Sequence, residues 1–181
     1  MLFRSESSAF AGIDESGDRM LEPLRRMRAT SFIFGVASTV GDFSIVWHVI
    51  GFVRAIGSAR RFHEALFLSC ALGVESLVVN QGVKRMFKRE RPTASGDERF
   101  DIRTPSTSSF PSGHASSATF AAILLVRFVG MPTGIVFIVL AVVVALSRVV
   151  VRIHHLSDII GGIVTGAVLG TAAAALASSV L

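Results

Sequence analysis

A chain of 181 residues with 51% hydrophobic side chains and a mean hydropathy of +0.61 has the length of one domain and is too apolar for an ordinary soluble one. Its formal charge of +5 would point to nucleic acid in a soluble protein. Here the basic residues gather at the ends of apolar runs, which suits anionic head groups or a phosphorylated substrate and argues against a nucleic-acid partner. The one cysteine, Cys70, excludes an internal disulfide and cysteine-based metal sites.

The N-terminus is polar and in places acidic (Glu6, Asp14, Glu15, Asp18), and no apolar core follows a basic start, so no signal peptide is expected. From Asp18 to Thr30, Met20, Leu21, Leu24 and Met27 recur at helical spacing with Arg25, Arg26 and Arg28 between them. This predicts an amphipathic helix lying at a membrane surface; a solvated tail is the plain alternative. Residues 1–30 are therefore read as an interfacial segment and 31–181 as a membrane-embedded domain.

Five candidate spans follow, at 31–53, 64–83, 112–130, 133–151 and 157–180. About 20 apolar residues cross a bilayer, and the first run is the weakest because Asp42 and His48 interrupt it. Asp42, Glu75 and Asn80 read as polar groups that pack helices together. The basic run Lys84–Arg91 closes on Pro92, and residues 93–111 form a polar loop broken by Pro105 and Pro111. Ser112 is a good N-cap for the third span. The fourth is rich in Val and Ile but too long for a strand. In the fifth, Gly162, Gly166 and Gly170 form a small-residue stripe that admits a close helix neighbour. With no tyrosine and only Trp47, any aromatic belt rests on the 14 phenylalanines. The expected fold is all-α, a polytopic membrane bundle of about five transmembrane helices plus the N-terminal amphipathic helix.

Three clusters carry chemistry. Lys84 and Arg91, seven residues apart, can point the same way from two helical turns. Ser112, Gly113 and His114 open a helix whose free amides attract anions. Arg148, His154 and Asp158 sit between the last two spans, where ionisable groups are costly and mark a site. His154 and Asp158, four residues apart, share a helical face. Alternating spans bring all these ends to one side of the bilayer. Two guanidiniums can fork onto phosphate oxygens while Lys84 adds a point charge. Together they would stabilise a phosphoryl group as it gains charge. His154 can then attack phosphorus, Asp158 can hold its other nitrogen, and His114 can serve as acid and base. Fixed cations take the place of a metal or cofactor.

The segments Lys84-x6-Arg91-Pro92, Pro111-Ser112-Gly113-His114 and Ser147-Arg148-x5-His154-x3-Asp158 resemble the three-part signature of the type 2 phosphatidic acid phosphatase (lipid phosphate phosphatase) superfamily. The resemblance covers roughly residues 31–180. It implies a metal-independent phosphatase of lipid phosphates or diphosphates working through a phosphohistidine. By that resemblance Lys84, Arg91, Ser112, Gly113 and Arg148 hold the phosphate, His154 is the nucleophile, His114 the acid and base, and Asp158 the orienter. The membrane branch usually has six spans, and the one lacking here is the first, which carries no part of the signature.

The remaining charges have plainer readings. Arg85, Lys88 and Arg89 are read as interfacial anchors, His155 as structural, and Arg103 and Arg152 as solvated or lipid-paired. The loop residues Asp97, Glu98, Arg99, Asp101 and Arg103 should govern the choice of lipid: a phosphatidate-like glycerolipid, phosphatidylglycerophosphate, a polyprenyl diphosphate or a phosphorylated polyprenyl sugar. Five arginines before the first span favour a cytoplasmic N-terminus, and with five spans a cytoplasmic site. The family layout in a bacterial cell membrane places the site outside and is preferred. A phosphotransferase using the same phosphohistidine and a non-enzymatic lipid carrier are the alternatives; a homo-oligomer is left open.

Overall fold

A computed structural model describes residues 7–41, 44–92 and 107–181. Among them all regular structure is helical: α1 (Ser7–Arg25), α2 (Arg28–Val40), α3 (Ile45–Ala55), α4 (Ala59–Met86), α5 (Gly113–Val129), α6 (Ile135–Val150) and α7 (Leu156–Val180). α4 and α7 are long and apolar enough to cross a bilayer. α3, α5 and α6 are apolar helices of 11, 17 and 16 residues.

The bundle is built around α5. Its small residues Ala115, Ala118 and Ala121 are fully buried, so neighbours approach closely. α7 lays its glycine stripe along it: a Cβ on Gly166 would stand 2.3 Å from the Ser116 carbonyl oxygen, and one on Gly162 2.5 Å from that of Ser112. That approach sets the start of α7 beside the start of α5, where the Ser112 amide donates to the Asp158 carbonyl (3.0 Å). Trp47 of α3 and Leu68 and Leu72 of α4 complete a core with Ala118, Leu124 and Leu125 of α5 and Val144 of α6. On the outside, α6 exposes Val136, Ile138, Val139 and Val142, and α7 exposes Ile160, Ile163, Val164 and Val168. Apolar side chains on the outer face of helices suit lipid as the surrounding solvent.

Two expected elements have different bounds. The run 31–53 is two helices, α2 and α3, broken at Gly41 and at Ser44, which takes a left-handed φ of 59°. The break serves the interior: a Cβ on Gly41 would lie 2.8 Å from His114 Cδ2 and 3.0 Å from Val144 Cγ1. The amphipathic helix runs over Ser7–Arg25 instead of Asp18–Thr30. Its buried side is mostly polar or small (Asp14, Gly17, Leu21, Arg25), while Ile13, Met20 and Leu24 point outward, as does Met27 beyond its end. Asp42 and the loop residues Asp97, Glu98, Arg99, Asp101 and Arg103 lie outside the described residues.

Candidate active site

The site begins at the end of α4. Residues Val78–Val83 take a π-helical turn. Residues four apart drift by about 40° in an α-helix, and a wider turn offsets that drift. Ser76, Asn80 and Lys84 thereby face one cavity. The helix stops at Met86 and Phe87 is extended, so Arg91 does not share a helix face with Lys84 as its spacing suggested. It arrives from a non-helical segment. Its Nε and Nη2 donate to the Thr107 carbonyl (3.3 and 3.1 Å), and Nη1 donates to the Ile153 carbonyl (3.2 Å).

The second wall is the start of α5. Ser112 caps it by accepting from the Ala115 amide (3.4 Å). Gly113 lets the helix end meet α4, because a Cβ there would sit 3.4 Å from Asn80 Oδ1 and 3.6 Å from Lys84 Nζ. The half-buried His114 packs against Gly41.

The third wall follows α6. Arg148 is buried and donates to the hydroxyl and carbonyl of Ser38 in α2. The chain then turns through Arg152, at a left-handed φ of 58°, with the amides of Ile153 and His154 both donating to the Arg148 carbonyl (3.1 Å each). His154 therefore stands before α7 and not on it. Its juxtaposition with Asp158 comes from the helix-capping turn, in which the His155 amide donates to Asp158 Oδ2 (2.9 Å). His155 is the N-cap residue of α7, the structural place expected of it.

Lys84, Arg91, Gly113, His114, Arg148 and His154 line one cavity of about 280 Å³, together with Glu75, Ser76 and Asn80. Asp158 lies behind His154, with 3.4 Å between Oδ2 and Nδ1. Ser112 holds the α5 end and does not line the cavity. Three cations thus face one carboxylate, Glu75, which accepts from Ser116. Such a balance calls for an anion in the cavity. Burial pushes the His154 imidazole down to about 3; Asp158 opposes that fall and the nearby Arg91 adds to it. The ring is neutral at physiological pH, with a nucleophilic lone pair.

Four participants escape sequence reasoning. Ser109 donates to Asp158 Oδ2 and lies 3.3 Å from His154 Nδ1. Ser38 anchors Arg148. Arg89, expected at the interface with Arg85 and Lys88, instead reaches inward to Asp158, and Asp14 of α1 meets it from the other side. The helix has ended by then, with Phe87 extended, and the Arg89 carbonyl accepts from the Ser109 amide (2.9 Å). Arg85 and Lys88 are exposed. Arg152 pairs with Asp18 of α1 at 3.7 Å. No signal in the sequence separates Arg89 from its basic neighbours or links Asp14 to it.

Solved structures share this fold. A transmembrane PAP2-type phosphatidylglycerolphosphate phosphatase of Bacillus subtilis superposes with a TM-score of 0.74 at 23% identity, covering 97% of this chain and 90% of that one. LpxE of Aquifex aeolicus gives 0.68 at 18% identity, over 86% and 92%. Decaprenylphosphoryl-5-phosphoribose phosphatase of Mycobacterium tuberculosis is 35% identical over 133 residues, 74% of this chain and 72% of the relative. The enzyme of that name in Mycolicibacterium smegmatis is 35% identical over 127 residues, 69% and 67%. With the PAP2 superfamily model matching residues 64–179, which hold all three clusters, the chain belongs to the PAP2 superfamily and is a membrane phosphatase.

Proposed function

We propose that this phosphatase hydrolyses a lipid phosphate without a metal, through a phosphohistidine on His154. The observation that carries the reading is the two-sided hold on that ring. Nε2 faces Arg91 and the cavity, while Nδ1 faces Ser109 and Asp158. Nδ1 keeps the proton, and Nε2 keeps the lone pair that attacks.

In the first step Nε2 bonds to phosphorus and the bond to the lipid alkoxide breaks. His114 gives that alkoxide its proton. Lys84, Arg91, Arg148 and the Gly113 amide neutralise the equatorial oxygens, and Asp158 stabilises the imidazole as it becomes cationic. In the second step His114 takes a proton from water, whose oxygen attacks phosphorus. The P–N bond breaks, releasing phosphate and restoring neutral His154. Ser112 contributes by capping α5 and so aiming the Gly113 and His114 amides.

The identity to the decaprenylphosphoryl-5-phosphoribose phosphatases favours a phosphorylated polyprenyl sugar among the lipid candidates. Glu75, Ser76 and Asn80 line the same cavity and can accept hydrogen bonds from sugar hydroxyls. We place the enzyme in a bacterial cell membrane with its site outward, residues 31–181 as the phosphatase domain and 1–30 as an interfacial segment. Impermeant labelling of Ser95→Cys in intact cells, in a Cys70→Ser background, tests the orientation; protection would reverse it. Phosphate release over a panel of purified lipid phosphates, with and without chelator, tests substrate and metal independence. His154→Ala must abolish release while the protein stays folded; turnover by that variant would end the mechanism.

A further inference from the structure

We propose that Arg89 is a positioning residue for Asp158, held in register by Asp14, so that α1 belongs to the catalytic assembly. The inference rests on the reading of His154 as nucleophile and Asp158 as its orienter.

Asp158 is wholly buried, so each of its oxygens needs a partner. Oδ2 accepts from Ser109 and from the His155 amide, and Oδ1 accepts from Arg89 Nη1. The same Nη1 donates to the Ser157 hydroxyl (2.6 Å). With Arg89 removed, Oδ1 would be buried beside no donor but a hydroxyl, and the carboxylate would be free to rotate away from Nδ1. Lysine keeps the charge but lacks the fork that spans two carboxylates.

The far side of that fork, Nη2, donates to Asp14 Oδ2. Asp14 in turn uses Oδ1 to accept from the Ser157 amide (2.9 Å), an orphan donor in the first turn of α7. A carboxylate on α1 thus caps α7 from another helix and closes a ring through Arg89 and Ser157. Two further contacts fix α1 in place. Gly17 packs so tightly on Leu156 that a Cβ would fall 2.8 Å from that side chain. Arg25 donates to the Val149 and Val150 carbonyls (2.9 and 3.2 Å) at the end of α6. α1 therefore ties together both helix ends that flank His154. An amphipathic helix that only anchored the chain would have no need to turn Asp14 and Arg25 inward.

The test is phosphate release from dioctanoyl phosphatidate in detergent micelles, with the full-length chain, alongside thermal stability. His154→Ala is the control for the underlying reading; activity there sinks that reading whatever Arg89 does. Arg89→Ala should lower kcat by about 100-fold with KM nearly unchanged, the scale set by misplacing a reacting group by about 1 Å. Added guanidinium should restore part of that loss. Arg89→Lys should fall between Arg89→Ala and the wild type. Asp14→Ala, outside the cavity, should lower kcat in the same sense by about tenfold, and Lys88→Ala should match the wild type. Wild-type kcat in Arg89→Ala overturns the proposal. So does a loss in Arg89→Lys and Asp14→Ala that follows lowered thermal stability and leaves kcat per folded molecule intact. Wild-type kcat in Asp14→Ala alone removes α1 from the assembly.

Discussion

Arg91 holds Nη1 3.3 Å from Nε2 of His154, so a permanent cation faces the atom proposed to attack phosphorus. A guanidinium can only donate, which fixes a lone pair on Nε2 and the proton on Nδ1. Burial is the main reason that His154 titrates near 3, and Arg91 adds to it. An unfolded histidine titrates near its ordinary value of 6.5. Between those values the unfolded chain binds a proton that the folded one refuses, so folding stability is lost as pH falls through that window. The limiting slope from this one group is about 1.4 kcal/mol per pH unit. Thermal unfolding in detergent should show a lower midpoint at pH 5 than at pH 7, and His154→Asn should flatten that dependence. Equal slopes in the two proteins would mean that His154 is not held neutral.

The same relationship makes Arg91→Lys a severe change. Arg91 spreads its donors over the Thr107 and Ile153 carbonyls while facing His154. A lysine offers a single point charge and cannot keep those anchors and reach a phosphate oxygen at once. Losing one fixed donor to a developing charge typically costs about 100- to 1,000-fold in kcat. We expect a fall of that order in phosphate release, with the protein still folded. A lysine variant within threefold of the wild type would show that Arg91 serves the loop and not the phosphate.

The parts of this site that were legible are those where residue type and spacing coincide with a helix end. Ser112 reads as a cap and does cap; the glycines at 162, 166 and 170 read as a close helix contact and make one. What was hidden depends on contacts across the chain. Arg89 is one of four basic residues over Lys84–Arg89, with Met86 and Phe87 between them, and the helix ends before it at an extended Phe87. Asp14 lies 75 residues from it. The helix that carries Asp14 contains Gly12, Gly17 and Pro23, a composition that argues against a helix. Its packing on Leu156 and on the α6 carbonyls outweighs that propensity. The break at Gly41 was hidden because an apolar run does not reveal which residue must make room for His114.

Ser109 gives a sharper test of the hidden part. It is fully buried, donates to Asp158 Oδ2 and lies 3.3 Å from His154 Nδ1, nearly as close as the carboxylate itself at 3.4 Å. The hydroxyl therefore links ring and carboxylate, which alone are beyond good hydrogen-bonding distance. Ser109→Ala removes that link and leaves little cavity. Loss of one such interaction in the transition state corresponds to about tenfold in rate. The expected result is a kcat lowered by about that factor with KM and thermal stability close to the wild type. A variant that loses KM alone would place Ser109 on substrate binding instead.

The packing that brings the walls together can be tested away from the chemistry. A Cβ on Gly166 would fall 2.3 Å from the Ser116 carbonyl oxygen and 3.0 Å from its carbonyl carbon and Cα. These are backbone atoms and cannot swing aside, so α7 must move off α5. Overpacking of this kind costs about 1–3 kcal/mol. The shift would also reach Asp158 at the start of the same helix. Gly73 on the exposed face of α4 has nothing within 4 Å of its missing Cβ, and alanine there should be neutral or stabilising by up to about 1 kcal/mol through helix propensity. Thermal unfolding should therefore separate the two glycine-to-alanine changes in opposite directions, with activity lost in Gly166→Ala and kept in Gly73→Ala. If Gly166→Ala is as stable and active as the wild type, the close approach of α7 to α5 is not what assembles the site.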